Sequence, residues 1–310
     1  MTTPAPQFEG VLQGTFPVVP TPFNDDSSID YASFDNVIDY IINCGSDGLV
    51  FPGLASEYAQ LTKEERLKAT EIVGARCKGR LPFVVGAGAK TPEEAIEYSV
   101  AGAKAGAVCA MIMTPYSLAD DLDAMVDFYK TLAVKAEIPI MLQNAPQPMG
   151  AGLAVDKVIE VLRQVPQIHY VKEETMPCGQ RIEQLLADKP EHVKGVFGGA
   201  GGRYILDELG RGALGTVPAC ELTEMHIALV NAYRAGDTAT AFDAYTKMMP
   251  ILNMQAVYRC SMTKEVLKQK GIIKGNTVRV PGPELDSKNA EELAQLWQLV
   301  TPYMGELAPA

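Results

Sequence analysis

Basic residues are in the minority: 27 Lys and Arg stand against 38 Asp and Glu, a formal net charge of −11. Nucleic-acid and anionic-membrane surfaces need clustered cations to displace counterions or meet headgroups, so the charge balance argues against both and for a small molecule as partner. No stretch of 18 uninterrupted apolar residues occurs, and residues 1–10 have neither a basic nor an apolar run of signal-peptide type. Neither a membrane span nor a leader is expected. The six cysteines (Cys44, Cys77, Cys109, Cys178, Cys220, Cys260) lie far apart, with no Cys-x-x-Cys pair and no histidine at zinc spacing. That pattern predicts no metal site and no disulfide framework, and scattered thiols fit a reducing cytoplasm. His169, His192 and His226 form no visible cluster. A long Pro/Ser/Gly linker is also missing, so the 310 residues, 47% hydrophobic and 21% charged, are expected to build one large domain with an addition rather than two equal domains.

What is present is an alternation. Short apolar runs at 16–20, 48–52, 82–86, 108–113, 139–143, 168–173, 193–197 and 215–217 read as strands. Amphipathic stretches follow them at 31–44, 62–77, 91–105, 122–136, 154–165, 180–186, 204–211 and 223–235. Two of these helices open on Thr-x-x-Glu, at Thr62 and Thr91, the spacing of a capping box. Strands apolar on both faces imply a parallel sheet covered by helices, and eight strand–helix units close a barrel. An open doubly wound sheet is disfavoured because the first strand ends in Pro20-Thr21-Pro22 and not in a glycine fingerprint. The expected architecture is therefore an α/β (β/α)₈ barrel over residues 1–236 with a helical extension over 237–310, the latter holding helices at 238–253, 256–269 and 290–300.

Chemistry in such a barrel sits at the C-terminal ends of the strands. The sixth strand carries Lys172 after an apolar run, followed by Glu173 and Glu174. Alternation puts Tyr170, Lys172 and Glu174 on one face, with roughly 6 to 7 Å between positions two apart, and Glu173 on the other. A buried amine there is a candidate nucleophile; a strand-end lysine merely paired with Glu174 is the alternative. After the second strand, Gly53-Leu54-Ala55-Ser56-Glu57 reads either as an anion nest of backbone N–H groups or as an ordinary capped turn. Tyr116 follows the fourth strand as a rim residue or an acid. The run Gly198-Gly199-Ala200-Gly201-Gly202 after the seventh either cradles a phosphate or allows close packing.

Taken together, Pro20-Thr21-Pro22-Phe23, Gly45-Ser46-Asp47-Gly48-Leu49, Leu61-Thr62-Lys63-Glu64-Glu65-Arg66, Thr114-Pro115-Tyr116, Asn144-Ala145-Pro146 and Val171-Lys172-Glu173 resemble the dihydrodipicolinate synthase and N-acetylneuraminate lyase family of class I aldolases, over about residues 14–300. The resemblance implies a (β/α)₈ barrel, a Schiff base between Lys172 and a 2-oxo acid such as pyruvate, no separate cofactor, and a homotetramer or homodimer. It also implies catalytic roles for Lys172, Glu174 and Tyr116 and substrate contacts at Ala55, Ser56, Gln143, Gly198 and Leu214.

Departures from the family pattern are equally specific. The usual Gly-Thr-Thr-Gly-Glu after the second strand is Gly53-Leu54-Ala55-Ser56-Glu57, the usual proton-shuttle tyrosine is Gln143, and the substrate-binding arginine falls at Pro148. Similar departures mark one branch of the family, the 2-keto-3-deoxy-L-arabonate dehydratases. That branch implies dehydration of a 2-keto-3-deoxy sugar acid, with pyruvate-dependent aldol chemistry and non-catalytic oxo-acid binding as the other readings.

Overall fold

The computed structural model describes residues 10–304, in which strand and helix alternate as β1 (Gly14–Thr15), α1 (Tyr31–Asn43), β2 (Leu49–Phe51), α2 (Lys63–Cys77), β3 (Phe83–Gly86), α3 (Pro92–Lys104), β4 (Cys109–Met113), α4 (Leu122–Ala136), β5 (Ile140–Asn144), α5 (Val155–Gln164), β6 (Ile168–Glu173), α6 (Cys178–Asp188), β7 (Gly195–Phe197), α7 (Ile205–Gly210), β8 (Gly215–Thr216) and α8 (Thr223–Arg234). Two long helices follow, α9 (Thr238–Gln269) and α10 (Ser287–Val300). Residues 1–9 and 305–310, which include the outer ends of the expected domain spans and most of the stretch in which no leader is expected, lie outside the described residues.

Strands β2 to β7 pair in chain order, all parallel, and β1 pairs with β8. Bridges from Val18 to Val50 and from Gly198 to Thr216 join the two sheets, so the wall closes as a (β/α)₈ barrel. Its lumen is filled by Phe16, Val18, Val50, Val84, Met111, Met141, Tyr170, Phe197 and Val217, one contiguous apolar plug. The larger cluster between wall and helices holds the opposite faces of the same strands, among them Leu49, Phe51, Val85, Leu142 and Val171.

The first strand pairs regularly at Gly14–Thr15, just before the 16–20 expected. Pro17 and Pro20 have no N–H to give, so the regular ladder ends at Thr15 and continues as separate bonds, from Phe16 N to Thr216 O at 3.0 Å, Val18 N to Pro218 O at 2.8 Å, Val19 N to Val50 O at 3.0 Å and Val50 N to Pro17 O at 3.0 Å. The Thr62 capping box forms, with Glu65 N on Thr62 Oγ1 at 3.2 Å and Thr62 N on Glu65 Oε2 at 2.9 Å. At Thr91 only the forward half is made, Glu94 N to Thr91 Oγ1 at 3.2 Å.

The extension differs more. The two helices expected at 238–253 and 256–269 are one run, α9, with Pro250 inside it and a break at Arg259, where φ is 43° and ψ −117°. Such a conformation costs a residue with a Cβ about 1–3 kcal/mol. Helices α7 to α10 share a core of their own, including Leu209, Leu229, Ile251, Leu252, Val266 and Trp297. A buried charge pair ties the extension to the barrel: Lys264, fully buried on α9, binds Glu57 and also gives a hydrogen bond to Thr277 O at 2.8 Å. The second Glu57 oxygen accepts the N–H groups of Arg279 and Val280, each at 2.7 Å. Arg279 in turn grips Glu65 with two bonds of 2.7 Å. The loop after β2 is thereby locked under the extension.

Candidate active site

Strand β6 lies between β5 and β7, with Gln143 and Phe197 as the register neighbours of Lys172. Tyr170, on the same face, sits low in the lumen, where its hydroxyl accepts the Leu12 N–H at 2.9 Å. One step up, Lys172 emerges from the apolar plug at only 5% exposure. Its Nζ stands 3.1 Å from Glu174 Oε1. Glu174 follows the last residue of β6 but stays extended, since its N–H still donates to Asn144 O at 3.0 Å.

Three donors converge on the Glu174 carboxylate: the Lys172 ammonium, the Gln143 amide, which donates to Oε2 at 2.7 Å, and the Ala200 backbone N–H, which donates to Oε1 at 3.0 Å. Burial pushes the Glu174 carboxyl up, but the Lys172 charge and the hydrogen bonds from Gln143 and Ala200 outweigh it and hold the group below the usual carboxylate range. Glu174 is thus a desolvated, ionised carboxylate in contact with a buried amine, an arrangement able to take a proton from that amine or from a bound substrate and return it. Gln143 is itself buried.

The glycine run after β7 serves this carboxylate. A side chain at Gly199 would collide with Glu174, and one at Gly198 would collide with Glu208, the nearest atoms lying 2.4 and 1.9 Å from a Cβ placed there. The anion received by the backbone at this turn is Glu174 itself. Glu208, wholly buried on α7, accepts the Cys178 thiol at 3.2 Å, and its other oxygen has no hydrogen-bond partner among the described residues. Burial above all, reinforced by the Glu174 charge against the Cys178 bond, pushes its carboxyl up to about 7.

The expected contacts divide. Lys172, Glu174 and Gln143 are brought together, and Gly198 lies beside them against Glu208. Ala55 packs half-buried at the edge of the lumen cluster. Ser56 is fully buried, and its one hydroxyl proton goes to Val19 O while its oxygen accepts Gly53 N–H, so it is a structural cap with nothing to donate to a ligand. Tyr116 is 60% exposed on the rim, and none of the hydrogen bonds among the described residues joins it to Lys172 or Glu174. Leu214 precedes β8, with its side chain against Gly195 at the start of β7 and its N–H on Val196 O. That is the entry end of the strands, below the level of Lys172, so Leu214 supports the lumen and does not line the mouth. The Ala200 N–H was missed by sequence reading because a backbone donor has no side-chain signature. His226 is buried between Leu222 O and Gly201 O as a structural residue, while His169 near the start of β6 comes near His192 in the loop before β7.

The profile of the family described as Dihydrodipicolinate synthetase family matches residues 11–299. L-2-keto-3-deoxyarabonate dehydratase of Azospirillum brasilense is 28% identical over 296 residues, 94% of this chain and 96% of its own length. The 4-hydroxy-tetrahydrodipicolinate synthase of Bacillus velezensis is 30% identical over 266 residues, 84% of this chain and 90% of its own. Among solved structures, the 4-hydroxy-tetrahydrodipicolinate synthase from Methylacidiphilum fumariolicum SolV superposes with a TM-score of 0.85 at 22% identity, covering 96% of this chain and 98% of that one. A prophage protein of the dihydrodipicolinic acid synthase family from E. coli K12, in complex with pyruvate, gives 0.83 at 24%, covering 94% and 99%. Family model and sequence relatives together settle the class of enzyme: this chain belongs to the dihydrodipicolinate synthetase family, lyases of the class I aldolase type.

Proposed function

We propose that the protein removes water from a short 2-keto-3-deoxy sugar acid through an imine on Lys172. The amine adds to the C2 ketone, water leaves as the carbinolamine collapses, and the iminium draws electrons from C3. Glu174 takes the C3 proton. The enamine pair then expels the C4 oxygen, which departs as water with the proton that Glu174 returns, and hydrolysis frees Lys172. The carbon chain stays intact, and no separate cofactor takes part.

One observation carries this reading: the carboxylate of Glu174 lies 3.1 Å from the Lys172 amine and is held by Gln143, at the strand end where a carbon–carbon lyase would need a phenol. Glutamine cannot exchange a proton at useful cost, whereas the adjacent carboxylate can. The dehydratase name of the A. brasilense relative fits the same chemistry. Aldol cleavage with Ser56 or Tyr116 as shuttle is less well supported, because the Ser56 proton is committed to Val19 O and Tyr116 stands on the exposed rim. Simple binding of an oxo acid without turnover gives no reason to bury an amine beside a carboxylate. Product analysis on a panel of 2-keto-3-deoxy acids tests the proposal: products lighter by one water with the carbon chain whole are expected, and release of pyruvate with an aldehyde would replace it by the aldolase reading.

A further inference from the structure

Arg259 breaks α9 in the backbone conformation of the first central residue of a type II′ turn, a place where glycine is the ordinary occupant. The strain therefore falls on a residue whose long cationic side chain the backbone would be better without, and strain of this kind gathers at functional sites. Its neighbour Cys260 has its Sγ 3.9 Å from the carbonyl oxygens of Leu54 and Ala55, in the loop after β2. The Arg259 Nη1 lies 3.9 Å from Met149 Sδ, in the loop after β5. Strands β2 and β5 are three places apart around the barrel, so the side chain reaches from one wall of the mouth toward the other.

The guanidinium is exposed, and none of the ion pairs among the described residues includes it. In a chain of net charge −11 that is a cation without an ion pair among the described residues, set against the loop after β5, the strand that pairs with the one carrying Lys172. The other arginine nearby, Arg203, is consumed by Leu252 O at 3.1 Å, Ala200 O and Gln255 Oε1. Around the rim Ser56 is committed, residues 199–202 carry no polar side chain and residue 148 is proline, which leaves the exposed Tyr116 hydroxyl as a neutral group in addition to the Arg259 cation.

We infer that Arg259 reads the end of the substrate remote from the keto acid, and that the substrate is a 2-keto-3-deoxy diacid with a second carboxylate at that end. The inference deepens the imine reading of Lys172 and rests on it for the reaction, but not for the recognition of the carboxylate. A single guanidinium matches one carboxylate through two parallel hydrogen bonds. A phosphate dianion in so acidic a chain would call for more than one free cation.

Two probes of equal length that lack a C4 hydroxyl to eliminate isolate the far end: 2-oxoadipate, which ends in a carboxylate, and 2-oxohexanoate, which ends in a methyl group. Calorimetry on the wild-type protein should give about ten- to hundredfold tighter binding of 2-oxoadipate, the range for a hydrogen-bonded charge. Arg259→Gln should bind both acids alike, while Arg259→Lys should keep part of the preference. Arg259→Gly, which suits the backbone, should melt no lower than wild type and still lose the preference, so that loss cannot be put down to misfolding. Equal affinities in the wild type, or a preference that survives in both Gln and Gly variants, would overturn the inference. Borohydride trapping with the same two acids reads the imine separately: a preserved preference without an adduct on Lys172 would remove the imine and leave Arg259 as the carboxylate reader.

Discussion

Glu173 and Glu174 are neighbours in the chain, yet they live in different regions of the molecule. Glu174 faces the lumen beside Lys172, partly open at the mouth, and its surroundings favour the ionised form. Glu173 points outward into the layer between sheet and helices, fully buried, where it accepts from Asn144 Nδ2 at 2.8 Å and from Thr175 N at 2.6 Å and pairs with Arg181 at 3.3 Å. Burial raises its carboxyl above the usual range despite those partners. The same functional group is thus a fastener on one face of a strand and, in the proposed reaction, the proton carrier on the other. What separates them is the two-residue period of a strand, which sends consecutive side chains to opposite sides.

The largest expected effect breaks this comparison at the lumen side. Glu174→Gln should still form a borohydride-stable adduct but lose turnover by about 10² to 10⁴, while Glu173→Gln should leave turnover nearly intact and lower stability instead, read as kcat beside a thermal melt. Equal and mild effects of both substitutions would remove the distinction; loss of the adduct in Glu174→Gln would make Glu174 the holder of Lys172.

The next effect concerns the third carboxylate of this neighbourhood. With its carboxyl raised to about 7 from an ordinary 4.5, Glu208 stays protonated in the fold through a range where the unfolded chain has already lost the proton. Its stabilising share is complete below the unfolded value and is lost as pH rises through about 7, a loss of roughly 3 kcal/mol between pH 4.5 and 8. Glu208→Gln should therefore shrink the fall in stability between pH 5 and pH 8 measured by denaturant unfolding. Superimposable pH profiles of variant and wild type would show that Glu208 does not titrate in this range.

The smallest effect sharpens the lumen side. Gln143→Tyr should crowd the pocket, remove a charged hydrogen bond from Glu174 and slow native turnover by about tenfold or somewhat more. Faster turnover accompanied by pyruvate release would mean that Gln143 marks a degraded aldolase site.

Much of this was legible in the sequence because it depends on local period and local chemistry. The alternation of Tyr170, Lys172 and Glu174 against Glu173, the Thr62 cap and the eight strand–helix units all follow from neighbours a few residues apart. The remainder depends on partners distant in the chain. The Ser56 hydroxyl is spent on Val19, 37 positions earlier, and Ala200 supplies a backbone donor to Glu174 from 26 positions away. Leu214 looks like a strand-end residue until the pairing of Gly14 with Gly215 fixes which end of β8 it stands at. Arg259 has no local signal at all, since nothing in Tyr258-Arg259-Cys260 announces a positive φ.

The central claim is that Lys172 is the nucleophile, and borohydride trapping tests it most directly. Incubation with pyruvate and borohydride, followed by peptide mass spectrometry, should place one reduced pyruvyl group on Lys172, and Lys172→Met should abolish the adduct and turnover together. An adduct on any other lysine, or none with any 2-oxo acid tried, would contradict the account.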